Sequence, residues 1–277
     1  MKTVETFGNN ANGNLVIEAD NIDALNHLTE KYAGKIDVIT IDPPYNTEIP
    51  YIGYKDSDYT EGWARFISER LSIAKRLLSD TGVMFINIDE NELLSLTDIC
   101  YTLFGIQNVN ILVWPKIDPR FDQNRVEKQV INIKSAHEYI VLCYMDKKDT
   151  HFENMGNGKP MESIVAGLGT TSSAKDEIKG LLGDRGAFST PKPVDLIKEM
   201  IRVSSKKDSV ILDFFAGSGT AGHAVMRLNK EDGGNRSFIL VTNNESDICR
   251  KVTVPRLKSA IEKESFDSGF EFRTMMG

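Results

Sequence analysis

Short β-branched runs and longer segments with apolar residues at helical spacing take turns along this chain, and no other feature restricts its fold so strongly. Strand-like stretches fall near 14–19, 36–41, 82–88, 109–114, 138–144, 209–213 and 237–242. Helix-like stretches fall near 21–32, 61–79, 90–104, 192–204, 220–230 and 246–263. Alternation of this kind predicts an α/β fold, a doubly wound and mainly parallel seven-stranded sheet covered on both faces. The segment GWARFISERLSIAKRLLSDTG predicts an amphipathic helix with Gly82 just past its end. About 145–187 lacks clear periodicity and reads as inserted loops with one short helix, AKDEIKGLL. A chain of 277 residues suits a single large domain covering 1–277.

Several classes drop out early. The N-terminus MKTVETFGNNANGN has no apolar core of signal-peptide length, and no run is long enough to cross a bilayer. Cys100, Cys143 and Cys249 are widely spaced with no CxxC pair, which argues against disulfides or a zinc site and for a reducing, cytoplasmic setting. No His or Cys spacing suggests a metal. The net charge of −7 counts against a general polyanion binder. Basic residues nevertheless gather at Lys116, Arg120, Arg125, Lys128 and Lys134, and again at Arg202, Lys206 and Lys207; alone, either cluster reads as a solvated face.

Two stretches carry chemistry. In VITIDPPYNT a buried-type strand ends in an acid, two prolines and an aromatic ring. Proline cannot donate to a sheet ladder, so Pro43 and Pro44 force the chain out of the sheet, stiffen the loop and aim Asp42 and Tyr45 outward. In SVILDFFAGSGTAG a strand runs into a glycine-rich turn and then a helix. Gly217, Gly219 and Gly222 satisfy GxGxxG, whose glycines let a ligand lie against backbone at a helix N-terminus. Glu245, after the strand FILVTNN, stands where an acid could grip a ribose hydroxyl pair, so at this point a dinucleotide reading is also open.

The pair of signals narrows the choice. Ligands of an open parallel sheet bind beyond the carboxyl ends of its strands, and both loops end strands. One would cradle a nucleoside-bearing cofactor and the other would offer a carboxylate and a ring to a planar substrate. Hydride transfer has no use for the second loop; methylation of an aromatic amino group does. DPPY together with FAGSGT resembles the DNA amino-methyltransferases that use S-adenosylmethionine, in the circularly permuted motif order of the β class. NLVIEADNIDALNHL, GVMFINIDENE, FSTPKPVDLIKEMI and FILVTNNE with ICRKVTVPRL are similar to the modification subunits of type III restriction systems, over about residues 13–262.

The resemblance implies a Rossmann-like methyltransferase fold and adenine-N6 methylation of double-stranded DNA. It implies that Asp42 and the Pro43 carbonyl accept from the target amine, that Pro44 stiffens the loop, and that Tyr45 stacks on a base flipped out of the duplex. It sets Asp213, Phe215, Gly217 and Gly219 around the methionine and ribose of S-adenosylmethionine, and Glu245 on the ribose hydroxyls. Asp20 and Asn21 would meet the adenine edge, Asp20 having a competing reading as a helix N-cap. Ser189, Thr190 and Lys192 would close over the methionine end. Asp89 and Glu90 read equally as helix-capping or site-lining acids, and His223 as packing. Modification subunits are usually longer, and only roughly 115–187 is left here to read DNA, with Lys116, Arg120, Arg125, Lys128 and Lys134 as its candidate contacts. Site selection is then simple, or shared with a specificity partner, a restriction subunit or the mate of a homodimer. Cytosine-N4 methylation and an inactive DNA- or cofactor-binding subunit of a restriction complex are the alternatives. RNA and protein-glutamine enzymes with a similar loop are disfavoured by the motif order.

Overall fold

The computed structural model describes residues 1–47, 62–118, 135–148 and 161–275. In order these form β1 (Lys2–Gly8), β2 (Leu15–Glu18), α1 (Asn21–Tyr32), β3 (Ile36–Ile41), α2 (Trp63–Leu77), β4 (Leu78–Ile88), α3 (Leu93–Phe104), β5 (Val109–Trp114) and β6 (Glu138–Tyr144). There follow α4 (Thr171–Leu182), α5 (Val194–Ser204), β7 (Val210–Asp213), α6 (Thr220–Asp232), β8 (Ser237–Thr242), α7 (Val254–Lys263) and β9 (Gly269–Thr274).

The strands join in one sheet of order β1-β9-β2-β8-β7-β3-β4-β6-β5. Its centre is parallel, whereas β6 runs antiparallel to both β4 and β5, and β1 runs antiparallel to β9. The sheet is therefore mixed, with nine strands among the described residues rather than the expected seven. The two additions are the terminal strands. β1 is almost wholly exposed and carries no hydrophobic signal; it forms because β9 offers an edge to pair with.

Successive side chains of a strand point to opposite faces, and both faces here are buried. Val38, Phe85 and Ile211 pack with Met200, Val225 and Leu257 of α5, α6 and α7. Ile39, Met84 and Leu212 pack with Leu25, Leu71 and Leu96 of α1, α2 and α3. The sheet is doubly wound, as the alternation of elements predicts.

Three local details differ from the sequence reading. α2 stops at Leu77 and β4 begins at once, so Gly82 lies inside the strand at a register shift against Ile36 and Val38. A Cβ on Gly82 would meet the Ile36 and Ser79 carbonyl oxygens at 3.0 Å, so close backbone approach explains the glycine. The expected helix over 246–263 is broken into a 3-10 turn at Glu245–Asp247, a π turn at Cys249–Thr253 and α7. Pro255 in the first turn of α7 lacks the N–H that would continue the α ladder upstream. The helix expected over 90–104 begins at Leu93, because Asp89 first turns the chain by accepting from the Asn91 N–H at 2.9 Å.

Within the 145–187 stretch, α4 has a reciprocal Thr170–Ser173 capping box and a left-handed Gly183 at its end. It is tied to the body, since Ser259 donates to the Leu181 carbonyl at 2.8 Å. Ahead of it, Ile164 bridges in parallel to Val113 of β5. No described helix is long and apolar enough to cross a membrane.

Candidate active site

β3 and β7 are neighbours in the sheet, with Ile39 opposite Leu212, so their carboxyl ends release Asp42 and Asp213 side by side. The helices that follow them, α2 and α6, go to opposite faces. A crevice opens at such a point, and a cavity of about 260 Å³ fills it.

The glycine turn after β7 forms one wall. Gly217 has φ of 47°, and a Cβ there would stand 3.0 Å from the Phe188 ring, so ring and bare backbone face each other across the cavity mouth. Gly219 has φ of 82° and serves as the N-cap of α6; its missing side chain would point at Thr253, away from the cavity. Behind the turn, buried Arg256 donates to the hydroxyls of Ser218 and Thr220 at 2.7 Å each, and burial brings its pKa down to about 10. Asp213 accepts from the Phe215 N–H at 3.0 Å, and burial holds its carboxyl well above the ordinary range.

Asp20, Asn21, Phe66 and Arg70 form the opposite end. Asp20 accepts from the Ile22 N–H at 2.9 Å, so it is the N-cap of α1 and a cavity residue at once. Arg70 Nε donates to Asn21 Oδ1 at 2.5 Å, and its guanidinium lies 3.6 Å from the Phe66 ring centroid. Asn87 stands between the ends. Its Nδ2 donates to the Ile41 carbonyl at 3.0 Å, which fixes the amide, and its buried Oδ1 has no hydrogen-bond partner among the described residues. Asn87 lines the cavity, so this acceptor is within reach of its contents.

At the third side, four charged groups and a phenol meet. Lys192 Nζ donates to both Asp42 oxygens at 2.8 Å and to Tyr45 Oη at 2.9 Å, and lies 3.2 Å from Glu138 Oε2. Tyr45 Oη is 2.6 Å from Asp42 Oδ1 and 3.1 Å from Glu138 Oε2. Lys116 Nζ approaches Glu138 Oε1 at 3.3 Å. Burial pushes the Asp42 carboxyl up, against Lys192 and with help from the Glu138 charge. Burial would raise Glu138 too, but Lys192 and Lys116 outweigh it and hold that carboxyl below its ordinary value. Burial disfavours the Lys192 charge, yet its two carboxylates prevail and its pKa is raised.

A family model described as DNA methylase matches residues 36–253. The chain belongs to that family. It is 28% identical to the Mod subunit of the type III restriction-modification enzyme StyLTI of Salmonella typhimurium, over 87% of this chain and 54% of that one. The chain spans about half the length, or less, of the type III relatives it matches. Its fold is that of the M1.HpyAVI–SAM complex, with TM-score 0.58, 18% identity and coverage of 88% of this chain and 98% of the other. It is also that of the PvuII cytosine-N4-specific DNA methyltransferase, with TM-score 0.63, 13% identity and coverage of 93% and 90%. The DNA methylase fold thus accounts for the doubly wound sheet.

Of the residues singled out in the sequence, Asp20, Asn21, Asp42, Pro44, Thr190 and Lys192 line this one cavity. Asp213, Phe215, Gly217 and Glu245 line it as well. Pro43, Tyr45, Ser189 and Gly219 do not. Lys116, expected to contact DNA, turns its ammonium to Glu138. Arg120, Arg125, Lys128 and Lys134 lie outside the described residues. His223 is buried and bonded to Glu264 at 2.8 Å. Arg70, Asn87 and Phe188 of the cavity wall, and Glu138 beside it, are not among the residues singled out in the sequence. A signal existed for two of them, since Asn87 interrupts the apolar run VMFINI and Glu138 opens the run EYIVLCY.

Proposed function

We propose that this chain carries the catalytic part of a DNA adenine-N6 methyltransferase that uses S-adenosylmethionine. The observation that carries the reading is the shared cavity: the DPPY carboxylate and the glycine turn open into one space from adjacent strands. The residues present suit the cofactor. Glu245 and Asp213 would take its ribose and amino hydrogens, Gly217 and Phe215 would let it lie against backbone, and Asn87 Oδ1 would receive a donor it now lacks. Asp20 and Asn21 would meet its adenine edge, with Thr190 and Ser189 at the methionine end.

The bound cofactor would supply a methyl group on a sulfonium. Asp42 and the Pro43 carbonyl would accept the two hydrogens of the target amine, which lets the nitrogen lone pair turn toward that methyl. The proton released by the amine on methylation would pass to Asp42 or to water. Positioning and charge stabilisation then do most of the catalysis. Tyr45 would flank the flipped base, and basic residues of 115–187 would hold phosphates of double-stranded DNA. A homodimer mate, specificity partner or restriction subunit would complete site selection.

The fold likeness to a cytosine-N4 enzyme supports a second reading on the same geometry, because cytosine also presents an exocyclic amine. Labelled methyl transfer to unmethylated duplex DNA, followed by nucleoside analysis, separates the two. N6-methyladenine in the product supports the first reading, N4-methylcytosine the second, and no transfer by a cofactor-binding chain would leave an inactive binding subunit.

A further inference from the structure

Glu138 opens β6, the strand that runs antiparallel to β4, so its first residue reaches the edge where β3 and β4 end. Its side chain is only 11% exposed and does not line the cavity. Two carboxylates, Asp42 and Glu138, thus face each other across one ammonium and one phenol.

The donors cannot satisfy both acids equally. Tyr45 has a single hydroxyl proton, with Asp42 Oδ1 at 2.6 Å and Glu138 Oε2 at 3.1 Å as its acceptors, while Lys192 donates to its oxygen. The shorter hydroxyl contact, 2.6 Å, and two ammonium contacts of 2.8 Å go to Asp42, against a hydroxyl contact of 3.1 Å and an ammonium contact of 3.2 Å to Glu138. An amine entering the site needs acceptor capacity on that same carboxylate. Glu138 is the nearby seat that can take the displaced donors, and Lys116 at 3.3 Å braces it from the far side.

We propose that Glu138 is a positioning residue of the methyl-transfer site, receiving the Tyr45 hydroxyl and a larger share of the Lys192 ammonium when Asp42 engages the target amine. The proposal rests on the methyltransferase reading above. The groups facing this centre are Asp42 and Tyr45 after β3, Asp89 after β4, Lys116 after β5, Lys192 before α5 and, beside Asp42, Asp213 after β7. Removing the Glu138 charge would leave both donors on Asp42. It would also move the titrations of Asp42 and Lys192 to lower pH, because that charge raises both.

Glu138→Gln keeps the shape and one acceptor oxygen, and Glu138→Asp keeps the charge on a shorter arm. In single-turnover transfer from S-adenosylmethionine to unmethylated genomic duplex DNA, Glu138→Gln should slow the step about tenfold or more. Its S-adenosylmethionine affinity by calorimetry should stay close to wild type, and its rate–pH profile should shift toward acid. Glu138→Asp should recover part of the rate, with a profile near that of wild type. A wild-type rate and profile in Glu138→Gln would overturn the proposal. So would equal losses in both variants with an unmoved profile, which indicate packing alone. A wild-type chain that neither binds S-adenosylmethionine nor methylates overturns the reading beneath, and the proposal with it.

Discussion

Lys192 Nζ lies 2.8 Å from each carboxylate oxygen of Asp42, across 150 positions of sequence. The lysine side chain is 7% exposed and the Asp42 side chain 29%, so water reaches the pair from the carboxylate side only. Removing Lys192 would strand the Asp42 carboxylate at a cost of up to about 3–5 kcal/mol, whereas removing Asp42 leaves the ammonium with Glu138 at 3.2 Å. The site's acid and its neutralising cation therefore stabilise the same loop that they equip for chemistry, and variants here must be read for folding as well as turnover.

Asp42→Asn and Asp42→Ala should separate those two roles. Both should lose about 3–4 kcal/mol of transition-state stabilisation, as for loss of one preorganised polar group. Asp42→Ala should also unfold more readily in urea than Asp42→Asn, whose amide oxygen still accepts from Lys192. Retention of a tenth of wild-type turnover in Asp42→Asn would move the amine acceptor elsewhere.

Tyr45→Phe tests the phenol. Were stacking the sole role of Tyr45, as the sequence suggested, phenylalanine would substitute with little loss. The hydroxyl instead bonds to a carboxylate at 2.6 Å, and hydrogen bonds to charged groups are worth about 1.5–3 kcal/mol. Tyr45→Phe is expected to lose stability or turnover on that scale, and unchanged values in both assays would refute the inference from geometry.

Gly217 and Gly219 should behave differently despite sharing one motif. A Cβ on Gly217 meets Phe188 at 3.0 Å beside the cavity, so Gly217→Ala should weaken S-adenosylmethionine binding in calorimetry. A Cβ on Gly219 meets Thr253 instead, and its φ of 82° disfavours a side chain by roughly 1–2 kcal/mol. Gly219→Ala should lower the melting temperature with the smaller effect on cofactor affinity. The reverse pattern would place the cofactor against a different part of the turn.

Acid should destabilise the fold through His223. Burial, with Arg256 and Arg227 nearby, lowers its pKa from 6.5 to about 4 even though Glu264 pulls the other way. Its Nε2 bonds to Glu264, and its buried Nδ1 has no partner among the described residues, which suits the neutral ring. A depressed folded-state pKa stabilises above the unfolded value, so this contribution is intact near pH 7 and is lost as pH falls from about 6.5 toward 4. About 3 kcal/mol is at stake. Urea titrations of wild type and His223→Gln at pH 7 and pH 4.5 should show the smaller pH dependence in the variant.

DNA contacts are best tested through salt. Arg120→Ala and Arg125→Ala should each reduce the salt slope of DNA binding by about one unit and leave S-adenosylmethionine affinity unchanged. Lys116→Ala should instead slow methyl transfer, since its ammonium braces Glu138. Superimposable salt titrations for wild type and the Arg120/Arg125 double variant would shift attention to Arg202, Lys206 and Lys207.

Much of this was legible in one dimension because its causes are local. A strand buried on both faces needs a continuous apolar run, which VITI and FILV supply, and an amphipathic helix needs apolar residues at helical spacing, which α2 and α5 supply. Turn chemistry is local too: prolines end β3 and glycines end β7, so the sequence alone sets the DPPY and FAGSGT loops on one edge of a sheet. The exposed β1 had no such signature, because its partner β9 lies at the far end of the chain.

Which charges share a site depends on the folded chain. The family resemblance points Lys192 to the cofactor and Lys116 to DNA. Folding brings both to Glu138, a residue without a motif, because β6 enters the edge from the opposite direction to β4. Periodicity records which face of an element is apolar, and that is a property of the segment itself. The partner of a buried charge is set by strand order and direction, which depend on pairings between distant segments, and so the cluster of Asp42, Tyr45, Glu138 and Lys192 exists only once the sheet has formed.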